Sequence, residues 1–173
     1  MRYIDISVVI VNYNVKDLLL TCLETLYKFV PAQIFIETIV VDNNSSDDSC
    51  TAIKNHYPEV ILIENKENVG FPKANNQGFD IAKGEYIFML NPDTEFIEDS
   101  VSQLVDYLRT NKDVDVIAPM LLNTDRSRQL SVWKYPNLWS IFCETHYLHF
   151  LLKKKNYLDK EIDKPFIAES FSG

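Results

Sequence analysis

Asp93 is the residue whose type and position most directly suggest chemistry. It follows the apolar run 86–90 and stands in the turn Asn91-Pro92-Asp93. If that run is a buried strand, Asp93 lies outside its carboxyl end, where open α/β sheets bind their ligands. One carboxylate, completed by phosphate oxygens and water, can hold Mg²⁺ or Mn²⁺ together with a nucleotide. An ordinary turn is the alternative interpretation, because asparagine, proline and aspartate are common turn residues.

Three more polar clusters follow other apolar runs of the chain. They are Asn12-Tyr13-Asn14, the stretch 42–46 that begins with Asp42, and the loop Asn68-Val69-Gly70-Phe71. Each cluster alone is ordinary turn chemistry. In a parallel sheet, however, successive strands end at the same edge, so residues far apart in sequence can line one pocket. The repeated pattern therefore predicts a ligand site along that edge.

Apolar runs alternate with amphipathic segments along the chain, which indicates an α/β fold with a mainly parallel sheet covered by helices. The predicted strands are residues 6–11, 35–41, 60–63, 86–90 and 113–120. A hairpin turn is predicted at residues 123–126. The order of the elements is that of a Rossmann-like half with a further segment appended.

Four helices are predicted between these strands. The first is capped by Asn14 and has an apolar face made of Leu18, Leu19, Cys22, Leu23 and Leu26. The second opens with the capping-box-like pair Ser45 and Asp48 and ends near Tyr57. The third spans residues 73–82. The fourth spans residues 100–110, and its inward positions are Val101, Leu104, Val105 and Leu108.

Length and composition restrict the class of protein. A chain of 173 residues suits one domain with one sizeable core. A net charge of -8 without a long basic stripe argues against a nucleic-acid partner, which requires clustered lysine and arginine. Cys22, Cys50 and Cys143 lack metal-type spacing, and their odd number favours reduced thiols in the cytoplasm.

A membrane span is not predicted, because no segment reaches the roughly 18 uninterrupted apolar residues that one needs. The amino terminus is interpreted as a first strand rather than a signal peptide, because Asp5 interrupts its apolar run. Residues 139–152 form a very apolar helical stretch before the lysines 153–155. This stretch is either core or acceptor-side structure, or a peripheral contact with the inner face of the membrane.

Four segments, taken in order, resemble the family 2 glycosyltransferases, and in particular their rhamnosyltransferase-like bacterial members. The segments are SVVIVNYN, VVDNNSSDDS, NVGFPKANNQG and GEYIFMLNPDTEF. The resemblance is weaker over residues 113–122, and Phe171-Ser172-Gly173 looks like the start of a further family segment. It implies the three-layer GT-A fold of nucleotide-diphospho-sugar transferases. It also implies inverting, metal-assisted transfer from a UDP-, dTDP- or GDP-linked sugar to a saccharide or lipid-linked acceptor, in cell-surface polysaccharide synthesis.

The resemblance also assigns expected roles on the donor side. Val11, Asn12 and Tyr13 would lie beside the base or ribose. Asp42 would hydrogen-bond the base, often at a pyrimidine ring N–H, with Asn44 in the same loop; an Asx turn in that loop is the alternative interpretation of Asp42.

Further along the chain, Gly70 would let the backbone approach the donor, and Asn76 matches a donor-pocket polar residue. Lys73 could reach phosphate, although a solvated helix lysine is an equally good interpretation. Asn91-Pro92-Asp93 matches the family's DXD motif, with Asp93 as the ligand of Mg²⁺ or Mn²⁺. Because Asn91 replaces an aspartate, this site would have one negative charge fewer than usual.

The catalytic base is not found in the sequence. Members of the family carry it in a later motif, which would lie beyond Gly173, and Glu144, Glu161 and Glu169 do not fit the pattern. The chain is therefore predicted to be the amino-terminal part of a longer enzyme, truncated at the carboxyl end. Residues 1–122 would bind the donor, and residues 123–173 would begin an incomplete acceptor-side part of the same domain.

Other classes fit less well. A dinucleotide-dependent oxidoreductase needs G-x-G-x-x-G, and a P-loop ATPase needs G-x-x-x-x-G-K; the chain has four glycines and neither pattern. The Gly-rich first loop of a nucleotidyltransferase is also missing. The remaining alternative is a nucleotide-sugar binding module without catalysis.

Overall fold

The computed structural model describes residues 3–129, 131–133 and 170–171. The chain forms two compact units, Met1–Ile117 and Ala118–Gly173. Within the described residues, no helix combines the length and apolarity that crossing a membrane requires.

The first unit alternates strands with helices. The strands are β1 (Ile6–Asn12), β2 (Ile36–Asp42), β3 (Ile61–Glu64) and β4 (Tyr86–Leu90). The helices are α1 (Lys16–Phe29), α2 (Ser49–His56), α3 (Phe71–Ile81) and α4 (Ser100–Thr110). The strands form a parallel sheet in the order β3-β2-β1-β4. The predicted mainly parallel α/β fold is thus confirmed.

Two apolar clusters cover the two faces of this sheet, which makes three layers. On one face, side chains from α1, α2 and α4 pack against Val8, Ile10 and Val40. On the other face, Ala74 of α3 packs against Val9 and Val11. Successive side chains of a strand point to opposite faces, so the unbroken β-branched run of β1 serves both clusters. All seven residues of β1 are buried.

The start of α1 differs from the prediction. Asn14 does not cap this helix; it has a left-handed backbone (φ 55°), and α1 begins at Lys16 after Val15. The Asn14 side chain instead accepts a hydrogen bond from the N–H of Ser46. Leu18 is also wrongly predicted as buried, because 47% of its surface is exposed at the edge of the apolar stripe. The buried positions of this face are Leu19, Cys22, Leu23 and Leu26.

The predicted capping box of α2 is wrong. The residue before the helix is Asp48 in a left-handed conformation (φ 63°), without a side-chain cap hydrogen bond. Asp47 takes over part of this function, because its carboxylate accepts hydrogen bonds from the N–H groups of Ser49 and Lys16. Ser45 is engaged with the end of β1 instead.

The remaining elements agree with the prediction more closely, with one exception. Helix α3 begins at Phe71, two residues earlier than predicted, with Pro72 in the first turn, where a missing N–H costs nothing. Helix α4 has the predicted bounds, and Val101 and Val105 are its buried residues. The predicted strand 113–120 is wrong, since the described residues there form no strand. Its Pro119 lacks the N–H that a ladder needs, and Val116 is 67% exposed.

In the second unit, the predicted hairpin turn at 123–126 is confirmed. Leu122 and Arg128 form an antiparallel bridge, and the N–H of Asn123 bonds to the carbonyl of Ser127 at 2.8 Å. A short antiparallel pair joins β5 (Val132–Trp133) to β6 (Ser170–Phe171). The apolar stretch 139–152, the lysines 153–155 and the glutamates Glu144, Glu161 and Glu169 lie outside the described residues. The donor and acceptor roles of residues 1–122 and 123–173 stay a prediction.

Candidate functional site

The carboxyl ends of β1, β2 and β4 lie side by side. Strand β1 is central, and its last residue, Asn12, pairs in register with Asp42 of β2. On its other side, Ile10 pairs with Leu90, the last residue of β4. The polar residues after β4 therefore follow directly beside the last two residues of β1. The sheet brings together three of the four predicted polar clusters at one edge.

Asn12 and Asp42 form a buried pair at this edge. Their exposed fractions are 0% and 2%. The Asn12 amide donates from Nδ2 to Oδ1 of Asp42 at 2.7 Å, and the N–H of Ser45 donates to Oδ2 at 2.8 Å. Both carboxylate oxygens thus accept a hydrogen bond, which compensates in part for removing a charge from water. The Asp42 carboxylate is fixed in direction.

Ser45 was missed as a site residue, although it connects the exits of β1 and β2. Its Oγ accepts hydrogen bonds from Nδ2 of Asn12 at 3.0 Å and from the N–H of Asn14 at 2.9 Å. Asn14 and Asn44 both have left-handed backbones, with φ of 55° and 67°. Each stands two residues after the end of its strand, and asparagine tolerates this conformation better than most residues. An asparagine two residues after each strand is the repeated pattern from which this pairing of the two loops could have been predicted.

A chain of side-chain amides extends this edge towards β3 and α3, and it too was missed. Asn43 is buried, and its Oδ1 accepts from Nδ2 of Asn65 at 3.0 Å. Asn65 and Gln77 exchange two hydrogen bonds of 2.9 Å each. Amide side chains are common in loops and helices, so nothing in a single sequence marks these three as a network.

One buried polar atom at this edge has no partner. The Oδ1 atom of Asn12 is inaccessible and makes no hydrogen bond within the described part of the chain. Buried carbonyl oxygens are normally paired, so an exception calls for an explanation, of which a functional role is one. The edge therefore carries hydrogen-bonding capacity that the fold itself does not use.

Asp93 has the opposite surroundings from Asp42, because it is exposed in the turn after β4. Asn91 is half-buried, and its carbonyl accepts a hydrogen bond from the N–H of Thr94 at 3.2 Å. Among the described residues, no group of three or more His, Cys, Asp or Glu could hold a metal ion unaided. A single carboxylate still fits Mg²⁺ or Mn²⁺ when phosphate oxygens and water complete the shell. The donor set is suited to a metal that arrives with a diphosphate.

The predicted residues of α3 are less closely tied to this edge. Gly70 precedes the helix with φ of 83°, and a Cβ there would meet nothing within 4 Å. Its glycine is therefore required by the backbone conformation. Lys73 and Asn76 are exposed, whereas the neighbouring Asn75 is buried and donates to the carbonyl of Phe71. No hydrogen bond among the described residues joins Lys73 or Asn76 to the Asn12–Asp42 pair.

The other predicted site residues, which lie in or just after β1 and β2, differ in their exposure. Val11 packs into the apolar cluster on the α3 face, so only its backbone is left for a ligand. Tyr13 is 49% exposed, and Asn44 is exposed. Much of the Tyr13 ring is therefore open to solvent.

Two thiols lie near the acidic residues without being nucleophiles. Burial raises the pKa of the Cys22 thiol to about 12, and the charge of Asp93 acts in the same direction. Burial likewise raises the pKa of Cys50 to about 12, with Asp42 as the second cause. Both thiols are protonated at neutral pH, and the thiolate is the reactive form. The chemistry of this edge belongs to its carboxylates and amides.

Comparison with protein families gives a match over almost the whole chain. The model described as "Glycosyl transferase family 2" covers residues 7–171. Among curated proteins, the chain is 33% identical to glycosyltransferase GlyG of Streptococcus pneumoniae, over 70% of this chain and 40% of that protein. It is also 33% identical to the poly(ribitol-phosphate) beta-glucosyltransferase of Bacillus spizizenii, over 62% of this chain and 18% of that protein.

A third relative is the Escherichia coli protein WfaP, named UDP-Glc:alpha-D-GlcNAc-diphosphoundecaprenol beta-1,3-glucosyltransferase. Identity is 31%, over 62% of this chain and 42% of WfaP. The chain thus spans less than half the length of these relatives. Among solved structures, TarS from S. aureus in complex with UDP is similar with a TM-score of 0.64 and 20% identity, over 76% of this chain and 40% of that chain. At that identity the likeness shows the fold.

Proposed function

This chain belongs to glycosyl transferase family 2 and has the GT-A fold, and we propose that the edge formed by β1, β2 and β4 is the donor site of an inverting glycosyltransferase. The proposed reaction transfers a sugar from a nucleotide diphosphate to a saccharide or lipid-linked acceptor. The product would contribute to cell-surface polysaccharide, made at the inner face of the membrane.

The observation that carries this proposal is the contrast between two carboxylates on one sheet edge. Asp42 is buried and fixed by two hydrogen bonds, as a group that recognises a particular N–H of a base should be. Asp93 is exposed on the neighbouring strand end, where a cation and a diphosphate have room. A nucleotide diphosphate has its N–H donors at one end and its anionic oxygens at the other, and it matches this pair.

The names of the relatives support the choice of a nucleotide sugar and narrow its base. WfaP is named for a UDP-glucose donor and a diphosphoundecaprenol acceptor. TarS has been crystallised with UDP and with UDP-GlcNAc. Among UDP, dTDP and GDP, we therefore propose a uridine donor for this chain, with a lipid-linked or polymeric acceptor.

The residues at this edge have separate parts in the proposed mechanism. Asp42 accepts a base N–H, and Asn12 and Ser45 keep its oxygens in place. Tyr13 offers an exposed aromatic face beside the base. Asp93 would hold Mg²⁺ or Mn²⁺, which when bound stabilises the charge on the departing diphosphate. The base that deprotonates the acceptor hydroxyl is proposed to lie beyond Gly173.

The test is calorimetric titration of UDP, dTDP and GDP, each with and without Mn²⁺. Asp93→Ala should abolish the gain in affinity that metal produces and leave metal-free binding and thermal stability unchanged. Glu95→Ala is the matched control, because Glu95 is an exposed acidic residue of the same loop. Identical titrations of wild type and Asp93→Ala in the presence of metal would contradict the assignment of Asp93.

A further inference from the structure

The loop 91–96, which carries Asp93, is held at both ends by side chains of α1. Before Asp93, the thiol of Cys22 donates to the carbonyl of Asn91 at 3.7 Å. After it, the hydroxyl of Thr25 accepts the N–H of Phe96 at 3.2 Å. Cys22 and Thr25 are three residues apart in sequence, so they share one face of the helix.

The Thr25 hydroxyl has a fixed orientation. Its single proton is shared between the carbonyls of Thr21 at 2.9 Å and Cys22 at 3.1 Å, so it is committed to the helix. An oxygen lone pair is thereby directed at the loop. The Phe96 side chain is also buried, with its ring edge-on to Phe88 at 6.3 Å between centroids. The carboxyl end of the loop is thus anchored by one hydrogen bond and one aromatic contact.

Cys22 is suited to hold the other end. It is fully buried in the core beneath the sheet edge. Sulfur is a weak hydrogen-bond donor, but this contact adds to the hydrogen bond that the Asn91 carbonyl accepts from the N–H of Thr94.

We propose that Thr25 and Cys22 are positioning residues, which hold the loop 91–96 so that the exposed carboxylate of Asp93 meets a divalent cation bound with the donor diphosphate. This inference rests on the proposed function, because it concerns the same metal site. When a residue orients a metal ligand without touching the metal, removing that residue commonly lowers the affinity for the metal. Helix α1 thereby acquires a role in donor binding beyond its place in the core.

The test compares Thr25→Val, which keeps the shape but loses the hydroxyl, with Thr25→Ser, which keeps the hydroxyl. Thr21→Val is the matched control, because among the described residues the Thr21 hydroxyl bonds only to the carbonyl of Asp17 in its own helix. The first readout is hydrogen exchange of the Phe96 amide in metal-free protein. The second is the Mn²⁺ concentration that half-saturates the protein in the presence of UDP, followed by electron paramagnetic resonance.

Thr25→Val should speed exchange at Phe96 and raise the half-saturating Mn²⁺ concentration roughly 10-fold. Metal-free UDP binding should be unchanged, and Thr25→Ser and Thr21→Val should behave like wild type. Cys22→Ala, compared with Cys22→Ser, repeats the test at the other end of the loop if Thr25→Val folds poorly.

The outcomes separate the inference from the function on which it rests. If Mn²⁺ does not change UDP binding by the wild-type protein, the metal part of the proposed function is overturned, and the inference with it. Wild-type dependence on Mn²⁺ that persists unchanged in Thr25→Val and Cys22→Ala would overturn the inference alone. A fall in metal affinity equal in Thr25→Val and Thr21→Val would do the same, because it would report helix damage.

Discussion

Asp42 and Asp93 show how surroundings can suit two identical side chains to the different uses that we propose for them. Asp42 is held by Asn12 and Ser45 and cannot turn without breaking buried hydrogen bonds. Asp93 is exposed, so it can adjust its oxygens to a cation at little cost. Recognition of a rigid base favours the first arrangement, and coordination of an incoming ion favours the second.

A third aspartate has a purely structural setting at the opposite end of the sheet. Burial by itself would raise the pKa of Asp5, but the N–H of Phe35 and the guanidinium of Arg109 hold it below the usual value. Arg109 also pairs with Glu85 at 3.4 Å. This contact ties the end of α4 to the beginnings of β1 and β4.

We expect Arg109→Ala to lower the free energy of unfolding by about 1.5–3 kcal/mol at pH 7, because it leaves a buried carboxylate without its charged partner. A carboxyl whose pKa is lowered on folding stabilises the protein above the unfolded pKa, and this is lost as pH falls through the folded value. The difference between Arg109→Ala and wild type should therefore shrink from pH 7 to pH 3. Urea unfolding at both pH values measures it, with the exposed Lys112→Ala as control. A difference that is constant with pH would show that Asp5 is not the group responsible.

At the scale of elements, local pattern predicted the strands and helices of the first unit well, but not how their ends are joined. In β1 and α4, the order of apolar and polar residues is enough to predict which side chains are buried. The caps of α1 and α2 did not follow local rules, because Asn14 and Ser45 bond to each other's loops, 31 residues apart. Such contacts exist only once β1 and β2 are paired, so a local capping rule cannot anticipate them. The wrong strand at 113–120 came from counting apolar residues without weighing Pro119.

The turn between α3 and β4 illustrates another contact of this kind. The N–H of Gly84 donates to the Ser7 hydroxyl at 2.8 Å, and a Cβ on Gly84 would lie 2.6 Å from the carbonyl carbon of Ile6. The turn therefore rests directly on the backbone of β1, which only glycine permits.

We expect Gly84→Ala to destabilise the protein by about 1–3 kcal/mol, since the added methyl group must push backbone away from backbone. Thermal unfolding should show the loss, while UDP binding by the folded protein should be unchanged, because this turn lies at the other end of the sheet. Ala82→Gly, in the same turn, serves as the comparison, because it adds no atoms and so cannot create a steric overlap. Wild-type stability in Gly84→Ala would mean that the turn can move away from β1.

At the scale of the whole molecule, the prediction concerns activity. The chain spans 40% of GlyG and 42% of WfaP, so most of those proteins has no counterpart in it. A positioned general base raises a reaction rate by about 10²–10⁴-fold, and orientation of the acceptor adds a further increase.

We therefore expect residues 1–173 alone to bind UDP but to transfer sugar weakly or not at all. Transfer from a panel of nucleotide sugars, measured beside a protein extended past Gly173, checks this. Turnover by residues 1–173 comparable to that of the extended protein would mean that the base lies within them, and Glu144 and Glu169 would then be the first to mutate. Binding without transfer in the extended protein as well would favour the non-catalytic binding module.

The central place of β1 has a consequence for how this protein is made. β1 needs β2 on one side and β4 on the other, and β4 ends at Leu90. A ribosome adds about 5–20 residues per second, so one edge of β1 waits several seconds for its partner. During that time an apolar, β-branched segment without charge is open to pairing with other chains. We therefore expect the strand that fixes the proposed donor site to be prone to aggregation during synthesis until β4 has been made.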